Sequence, residues 1–341
     1  MTALVFRLFL SNFGTLELDH GTFVAWGNSL ATNGFKNFYS GWSDYLPGYL
    51  YILWILGKLN LLFPAFQTIL YKLPAILADV ATGYLIYKTI GNKQSLPLCG
   101  KKGIVFSLIY LFNPAVFTNS TFWGQVDSLT ALFSLLAIYF FPISSFLSAV
   151  SLSLGTLIKP QAAFILHAIL YMFIVYKKSF KDLFIYSSIS LFIFVLGFVP
   201  FSNQSNLIQF IFNRLSISAN QYQYGSVNAF SFWGLFGFWK PDNIIFLIGL
   251  GISIALITLI TLIIYKKKIV NGEYLISFLS LLVTFLMMTR MHERHLLPVL
   301  APLLIASVYN PVLLLVYVGL SFTYIANLSY AYFWITDNYK E

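Results

Sequence analysis

Residues 243–265 carry no charge, and Lys266, Lys267 and Lys268 follow at once. At ~1.5 Å of rise per residue a helix of this length crosses a hydrocarbon core of about 30 Å. A single segment in lipid must satisfy its own backbone, so helix is the form such a run takes. Similar runs recur along the chain, which is 59% hydrophobic and only 9% charged, with a mean hydropathy of +0.80. Those values lie outside the range of soluble domains. Spans of ~20 residues would consume nearly the whole chain, so no separate soluble domain is expected. The expected fold is all-α: a polytopic transmembrane helical bundle of about 10–12 spans, one membrane-embedded domain over residues 1–341. The start shows no small-residue cleavage site, so no cleavable signal is expected. The lone Cys99 excludes an internal disulfide or a cysteine metal cluster.

The net charge of +9 resides largely in lysine clusters between apolar runs. Such placement speaks for membrane orientation, not for nucleic acid. The clusters are Lys88, Lys93, Lys101 and Lys102; Lys177, Lys178 and Lys181; and Lys266, Lys267 and Lys268. The positive-inside rule assigns all three to the cytoplasm, so an even number of spans must separate each pair. Segments 103–119, 126–141, 145–158 and 161–176 supply the first set. Segments 183–201 and 243–265 supply the second, and 274–289, 295–309 and 311–333 follow. Segment 68–89 crosses ahead of the first cluster. "VFRLFLSNF" (5–13) is too short for a free-standing span and reads as a truncated first one. "PGYLYILWILGKLNLLF" (47–63) is placed as a helix lying in the outer interface, because a crossing there would invert Lys101 and Lys102. Residues 14–67 then form a first outer loop with interfacial helices, and 202–242 a second, long outer loop. Asp19, Asp44, "FWGQVDS" (122–128), "IKPQ" (158–161) and "MHERH" (291–295) all reach the outer face, although only lysines were used to orient the chain.

Each polar motif has a structural and a functional reading. Asp19 and Asp127 stand where helices open and could be caps. Asp44 precedes a Leu-Pro-Gly turn, where aspartate is common. Trp123, Gln125 and Asp127 enter a span, which is costly unless they line a cavity. Lys159 could snorkel to headgroups or contact a phosphate. Lys72 and Asp79 are seven apart and share a helix face, as a polar tie or as cavity groups. In "RMHERH", His292 and His295 lack the i, i+4 spacing of a zinc-protease helix. Arg294 offers a planar fork suited to phosphate oxygens, and Glu293 could orient it or a histidine. Asp19, Asp44 and Asp127 could share a divalent cation, though no spacing demands one.

The order of these motifs resembles the GT-C glycosyltransferases, multi-span enzymes that take a sugar from a polyprenyl or dolichyl phosphate. The nearer likeness is to bacterial and archaeal membrane mannosyltransferases related to the second mannosyltransferase of GPI-anchor assembly. The more distant is to dolichyl-phosphate-glucose glucosyltransferases. The likeness runs through Asp19 with Trp26, "WSDYLPGYLY", "KLPAILAD", "FWGQVDS", "KPQA", "SVNAFSFWGL" (226–235) and "MHERHLLP", and covers nearly the whole chain. Leu46 stands where the family has a first proline, and a complete first span is missing ahead of Asp19. The resemblance implies a multi-pass cell-membrane enzyme acting on the extracytoplasmic face. It would transfer a hexose, mannose by the family, to a lipid-linked, glycolipid, polymer or protein acceptor by inversion. Asp19 would be the base and Asp44 the second candidate. His292, Arg294 and Lys159 would hold the donor phosphate, oriented by Glu293. Trp123, Gln125, Asp127, Lys72 and Asp79 would line the cavity. A lipid or solute transporter or flippase is the rival class, and a scaffold the third. Transporters tend to show repeats and polar breaks near the midplane. This sequence shows no repeat and keeps its polar motifs at one rim.

Overall fold

The computed structural model describes residues 1–91, 99–203, 205–337 and 339; Lys93 of the first lysine cluster lies outside them. Among the described residues there are fifteen α-helices and no strand. They are α1 (Thr2–Leu10), α2 (Glu17–Asn33), α3 (Pro47–Leu62), α4 (Gln67–Gly91), α5 (Cys99–Leu111), α6 (Pro114–Thr118), α7 (Asp127–Phe140) and α8 (Ser145–Ile158). α9 (Leu166–Val175), α10 (Phe180–Phe198), α11 (Leu207–Asn220), α12 (Ile245–Lys266), α13 (Gly272–Met287), α14 (Leu297–Ser307) and α15 (Val312–Thr336) complete the set.

Local chemistry sets several boundaries. α5 and α6 break at Asn113-Pro114, where the Asn113 side chain accepts the Ala115 N–H at 2.9 Å and proline has no N–H to continue the ladder. Ser179 and Asp182 form a reciprocal capping box that opens α10. Ser144 and Asn206 cap α8 and α11 by a single bond each, their side chains accepting the Leu147 and Gln209 N–H. α14 is apolar on every side and buried along its whole length, as a helix at the centre of a bundle must be. Around it pack α4, α7, α13 and α15. A second apolar core joins α2 and α3 to Phe198, Phe201 and Phe210. α2 and α3 cross so closely at Gly27 and Gly57 that a Cβ on Gly57 would collide with the Gly27 carbonyl.

Four helices are long and apolar enough to cross a membrane: Pro64–Gly91, Phe180–Phe201, Ile245–Lys266 and Val312–Thr336. A fifth is counted if Gly100–Leu111 and Pro114–Trp123, bent by 47°, form one span. By length and composition this is a multi-pass membrane protein. The long helices number fewer than the about 10–12 spans expected, and the reason is local. Segments 126–141, 145–158, 161–176 and 274–289 became apolar helices of 10–17 residues. Segment 161–176 is partly a 3₁₀ turn, Pro160–Ile165, ahead of α9. Segment 295–309 holds only α14, after a 3₁₀ turn at Glu293–Leu296. Hydropathy counts apolar residues, but prolines and side-chain caps decide where a helix begins. The long helices carry bare apolar faces, including Phe184 and Phe192 on α10, Leu247 and Leu262 on α12, and Leu315 and Phe322 on α15. Such faces suit lipid.

The stretch 202–242 is ordered well beyond a loop: it holds α11 and a 3₁₀ turn at Trp233–Phe236. It also bridges Tyr224 to Pro241, and Val227 and Asn228 to His292. The bundle has two distinct ends. At one, α4 carries Lys88 in its last turn, Lys177 follows α9 and α12 ends at Lys266; Gly272 at the head of α13 packs close to the Tyr171 hydroxyl there. At the other, Asp127 opens α7, Lys159 follows α8, and Arg290–His295 link α13 to α14.

Candidate functional site

The end opposite the lysines is built by three irregular pieces of backbone. After α6 the chain makes one wide turn, Asn119–Trp123, closed by Gly124 at φ +77. A side chain is strained at that angle, and glycine is not. The turn aims Trp123 and Gln125 at Asp19, in the first turn of α2. Trp123 Nε1 donates to Asp19 Oδ2 at 2.7 Å, and Gln125 Nε2 donates to the same oxygen. Among the described residues, Asp19 Oδ1 has no hydrogen-bond partner. Neither Asp19 nor Asp127 acts as a helix cap. Asp127 instead receives Lys159 Nζ on both oxygens, at 2.9 and 3.0 Å.

The second piece is Arg290–His295. Arg290 sits at φ +65, a left-handed backbone that its surroundings impose. Its N–H donates to Tyr224 O at 2.9 Å, and its guanidinium meets Asp242 at 2.6 and 3.3 Å. It also donates to Ala219 O and lies 4.1 Å from the Phe246 ring centre. The third piece is the "SVNAF" strand-like segment: Val227 N–H donates to Met291 O at 2.9 Å. Asn327 of α15 brackets it, donating to Asn228 O and accepting from Phe230 N–H. Sequence order alone does not reveal that this segment and "MHERH" are hydrogen-bonded neighbours.

The second piece, with residues before α3, after α8 and from the end of α11, surrounds a cavity of about 100 Å³ whose lining includes Asp44, Lys159, Gln161, Tyr222, Arg290, His292, Arg294 and His295. Arg294 Nη1 donates to Glu293 Oε1 at 2.7 Å, and its Nε lies 3.9 Å from Asp127 Oδ2. The same guanidinium stands 6.0 Å from the Trp123 ring centre. Burial, with Arg294 and Lys159 adding to it, pushes His292 well below its ordinary pKa. Burial, Lys159 and His292 do the same to His295. Both rings are therefore neutral near pH 7. His295 Nδ1 accepts the His292 N–H at 3.2 Å, and His295 Nε2 lies 3.4 Å from Gln161 Nε2. Burial raises the Asp44 pKa against the pull of its own backbone N–H, Arg294 and Lys159. Asp44 Oδ1 is buried with no hydrogen-bond partner.

Charge is largely pre-neutralised. Lys159 pairs with Asp127, Arg290 with Asp242, and Arg294 with Glu293. Asp19 and Asp44 are in no ion pair among the described residues. None of the five cavity candidates lines this cavity; Trp123 and Gln125 stand behind it on Asp19 and Asp127 on Lys159, whereas Lys72 and Asp79 are engaged elsewhere. Lys72 Nζ donates to the Ser11 carbonyl at 2.9 Å and also to that of Gly14. Asp79 takes Arg7 at 3.3 Å and the Ser120 hydroxyl at 2.6 Å. They tie α4 to α1 and to the turn after it. No three His, Cys, Asp or Glu residues among those described come together as a metal site, so Asp19, Asp44 and Asp127 do not form a shared ligand set.

Sequence reasoning missed Asp242, Tyr222 and Arg214. Asp242 is a single polar residue at a segment end, with no pattern to mark it. Arg214 lies 4.8 Å from the Tyr39 ring centre with Nε buried and unpartnered; the amphipathic spacing of 207–220 was the one available signal. Compared with known protein families and with curated proteins, the chain matches none.

Proposed function

We propose that this end of the bundle is the active site of an inverting, GT-C-like glycosyltransferase that uses a polyprenyl- or dolichyl-phosphate hexose. One observation carries the proposal. Two carboxylates in no ion pair, Asp19 and Asp44, sit at the same buried end as Lys159, His292 and Arg294. That set matches what the reaction needs: a proton acceptor and cationic or N–H groups for a leaving phosphate.

In this proposal Asp19 is the base. Trp123 and Gln125 fix one of its oxygens and leave the other to accept the proton of the acceptor hydroxyl. The hydroxyl oxygen forms a bond to the anomeric carbon, the bond from that carbon to the phosphate oxygen breaks, and its electron pair leaves with the polyprenyl phosphate. General base catalysis of this kind supplies about 10²–10⁴-fold. Arg294, His292 as a neutral donor, and Lys159 stabilise the leaving phosphate, and fixed donors there cost no reorganisation. Glu293 holds the Arg294 fork. Asp44, beside them in the cavity, positions the acceptor or the sugar. The lysine-rich end faces the cytoplasm and the site faces outwards. The short helices cross with the long ones, for about 10–12 spans in all. The sugar is a hexose, mannose by resemblance.

The transporter reading has one observation in its favour, the buried Arg7–Asp79 pair inside the bundle, a costly feature in a membrane. The two are separated by incubating the purified protein with radiolabelled polyprenyl-phosphate sugars and native membrane extract. A labelled glycan product is expected. Movement of label across proteoliposomes with no product would overturn the proposal.

A further inference from the structure

Lys72 and Asp79 are wholly buried charges of α4 that the proposed mechanism leaves unused. Seven residues of helix separate them by about 10 Å along the axis, and the wide turn after α6 lies alongside that interval. At one end of the turn, the Ser120 hydroxyl donates to Asp79 Oδ2 at 2.6 Å. At the other, a Cβ on Gly124 would come 3.0 Å from Lys72 Cγ. Lys72 Nζ reaches past the turn and donates to the Ser11 carbonyl at 2.9 Å and also to that of Gly14. Those carbonyls belong to the linker between α1 and α2, where a helix end leaves backbone acceptors without partners. Linker and turn also press on each other: a Cβ on Gly14 would come 2.7 Å from the Phe122 ring. One face of α4 therefore holds two pieces of chain that are far apart in sequence.

The same two pieces meet again at one atom. The linker leads into α2 and Asp19, and the turn carries Trp123 and leads to Gln125. Trp123 Nε1 donates to Asp19 Oδ2 at 2.7 Å, and Gln125 Nε2 to the same oxygen. Hydrogen bonds weaken steeply with misalignment, so Asp19 keeps this setting only while linker and turn stay in register. Asp79 has a helix partner in Arg7, but Ser120 and the carbonyls taken by Lys72 belong to the irregular backbone that frames Asp19. We infer that Lys72, Asp79 and Ser120 are positioning residues, which set the linker against the turn and so aim Asp19 Oδ1 at the acceptor hydroxyl. The role of Asp19 as base rests on the glycosyltransferase proposal; the placement of Asp19 and Trp123 by α4 does not.

Full-length protein in nanodiscs, labelled with 5-fluorotryptophan, provides the test. Ser120→Ala removes the hydroxyl and leaves Asp79 on Arg7. Lys72→Met keeps the stem beside Gly124 and removes the donor. In both variants the fluorine resonance of Trp123, assigned with Trp123→Phe, should shift or split. Resonances of Trp54 and Trp233, held elsewhere against Phe35 and the Met287 carbonyl, should stay in place and show that each variant folds. The kcat should fall about ten- to hundredfold, as when a reacting group is misplaced by ~1 Å or less, with the KM for polyprenyl-phosphate sugar unchanged. Residues that merely stabilise the bundle would lower the yield of folded protein but leave the Trp123 resonance and the kcat of that protein alone, and this result would overturn the inference. A Trp123 resonance that moves while kcat does not would overturn it too. A moved resonance in a protein whose wild type transfers no sugar would leave the placement standing and remove the glycosyltransferase proposal.

Discussion

Asp19 differs from every other acid at this end in how it is held. Its hydrogen bonds from Trp123 and Gln125 both fall on Oδ2. Asp19→Asn keeps the shape and removes the proposed base, so single-turnover transfer with saturating donor should fall by about 10²–10⁴ with donor affinity retained. Asp44→Asn should impair transfer less. Near-normal turnover in Asp19→Asn would move the role to Asp44. Arg294 makes the opposite prediction. Arg294→Lys keeps the charge but loses the fork to Glu293, and should weaken donor binding by about 1.5–3 kcal/mol for each charge-assisted hydrogen bond lost. Titration with sugar-free polyprenyl phosphate measures it, and an unchanged affinity returns Arg294 to a structural role. The histidines add a pH signature. His292 and His295 are held neutral by burial and nearby cations, whereas in the unfolded chain they bind protons below about 6.5. The unfolded state then binds more protons, so stability is complete above that pH and is lost as pH falls through it. His292→Gln should flatten the decline in melting temperature below about pH 6.5; an equally steep decline would show that His292 is not the group responsible.

At the scale of elements, the site depends on helices that meet it only by one end. α2 brings Asp19, and α3 follows the turn bearing Asp44; the two are locked at Gly27 and Gly57, where backbone approaches backbone. Small residues at such a crossing permit close packing in a membrane. Gly57→Leu should push α2 from α3 and lower kcat through the geometry of Asp19, while binding of sugar-free polyprenyl phosphate at Lys159 and His292 persists. A normal kcat would show that the crossing does not position Asp19. α1 is tied differently. Arg7 and Asp79 are both fully buried and 3.3 Å apart, and breaking one side of such a pair costs about 3–5 kcal/mol. Arg7→Leu should therefore lower the thermal midpoint more than the double variant Arg7→Leu, Asp79→Leu, which leaves no unpaired charge. Equal losses would mean that shape, not charge, joins α1 to α4.

For the whole molecule, the separation of the two ends is the property on which the rest depends. In the proposed function the lysines at one end orient the chain, and the acids and histidines at the other meet whatever it acts upon. In a Cys99→Ala background, cysteines introduced beside Lys101, Lys178 and Lys267 should resist a membrane-impermeant reagent, and those in 202–242 or beside His292 should react. Reaction beside Lys267 from outside would overturn this orientation. The apolar belt on α10, α12 and α15 gives such an orientation its physical basis, since those faces have no other place to go but lipid.

The all-helical, membrane-embedded character was legible in the sequence by itself, because hydrocarbon leaves a single segment only the helix for satisfying its backbone. So were the two ends of the bundle, read from lysine positions, and the stretches that gather at one of them. Those are properties of composition along the chain, and composition is local. What the tertiary structure decided is pairing. Lys72 and Asp79 share a helix face at a spacing of seven, yet they bond to the turn after α1 and to α1 itself, away from the cavity. Asp127, without a charged neighbour in sequence, is bound by Lys159 thirty-two residues on. Arg290 takes Asp242, and "SVNAF" takes the backbone of "MHERH". A buried charge takes its partner from whichever element packing brings beside it. That choice is made in three dimensions, between residues far apart along the chain.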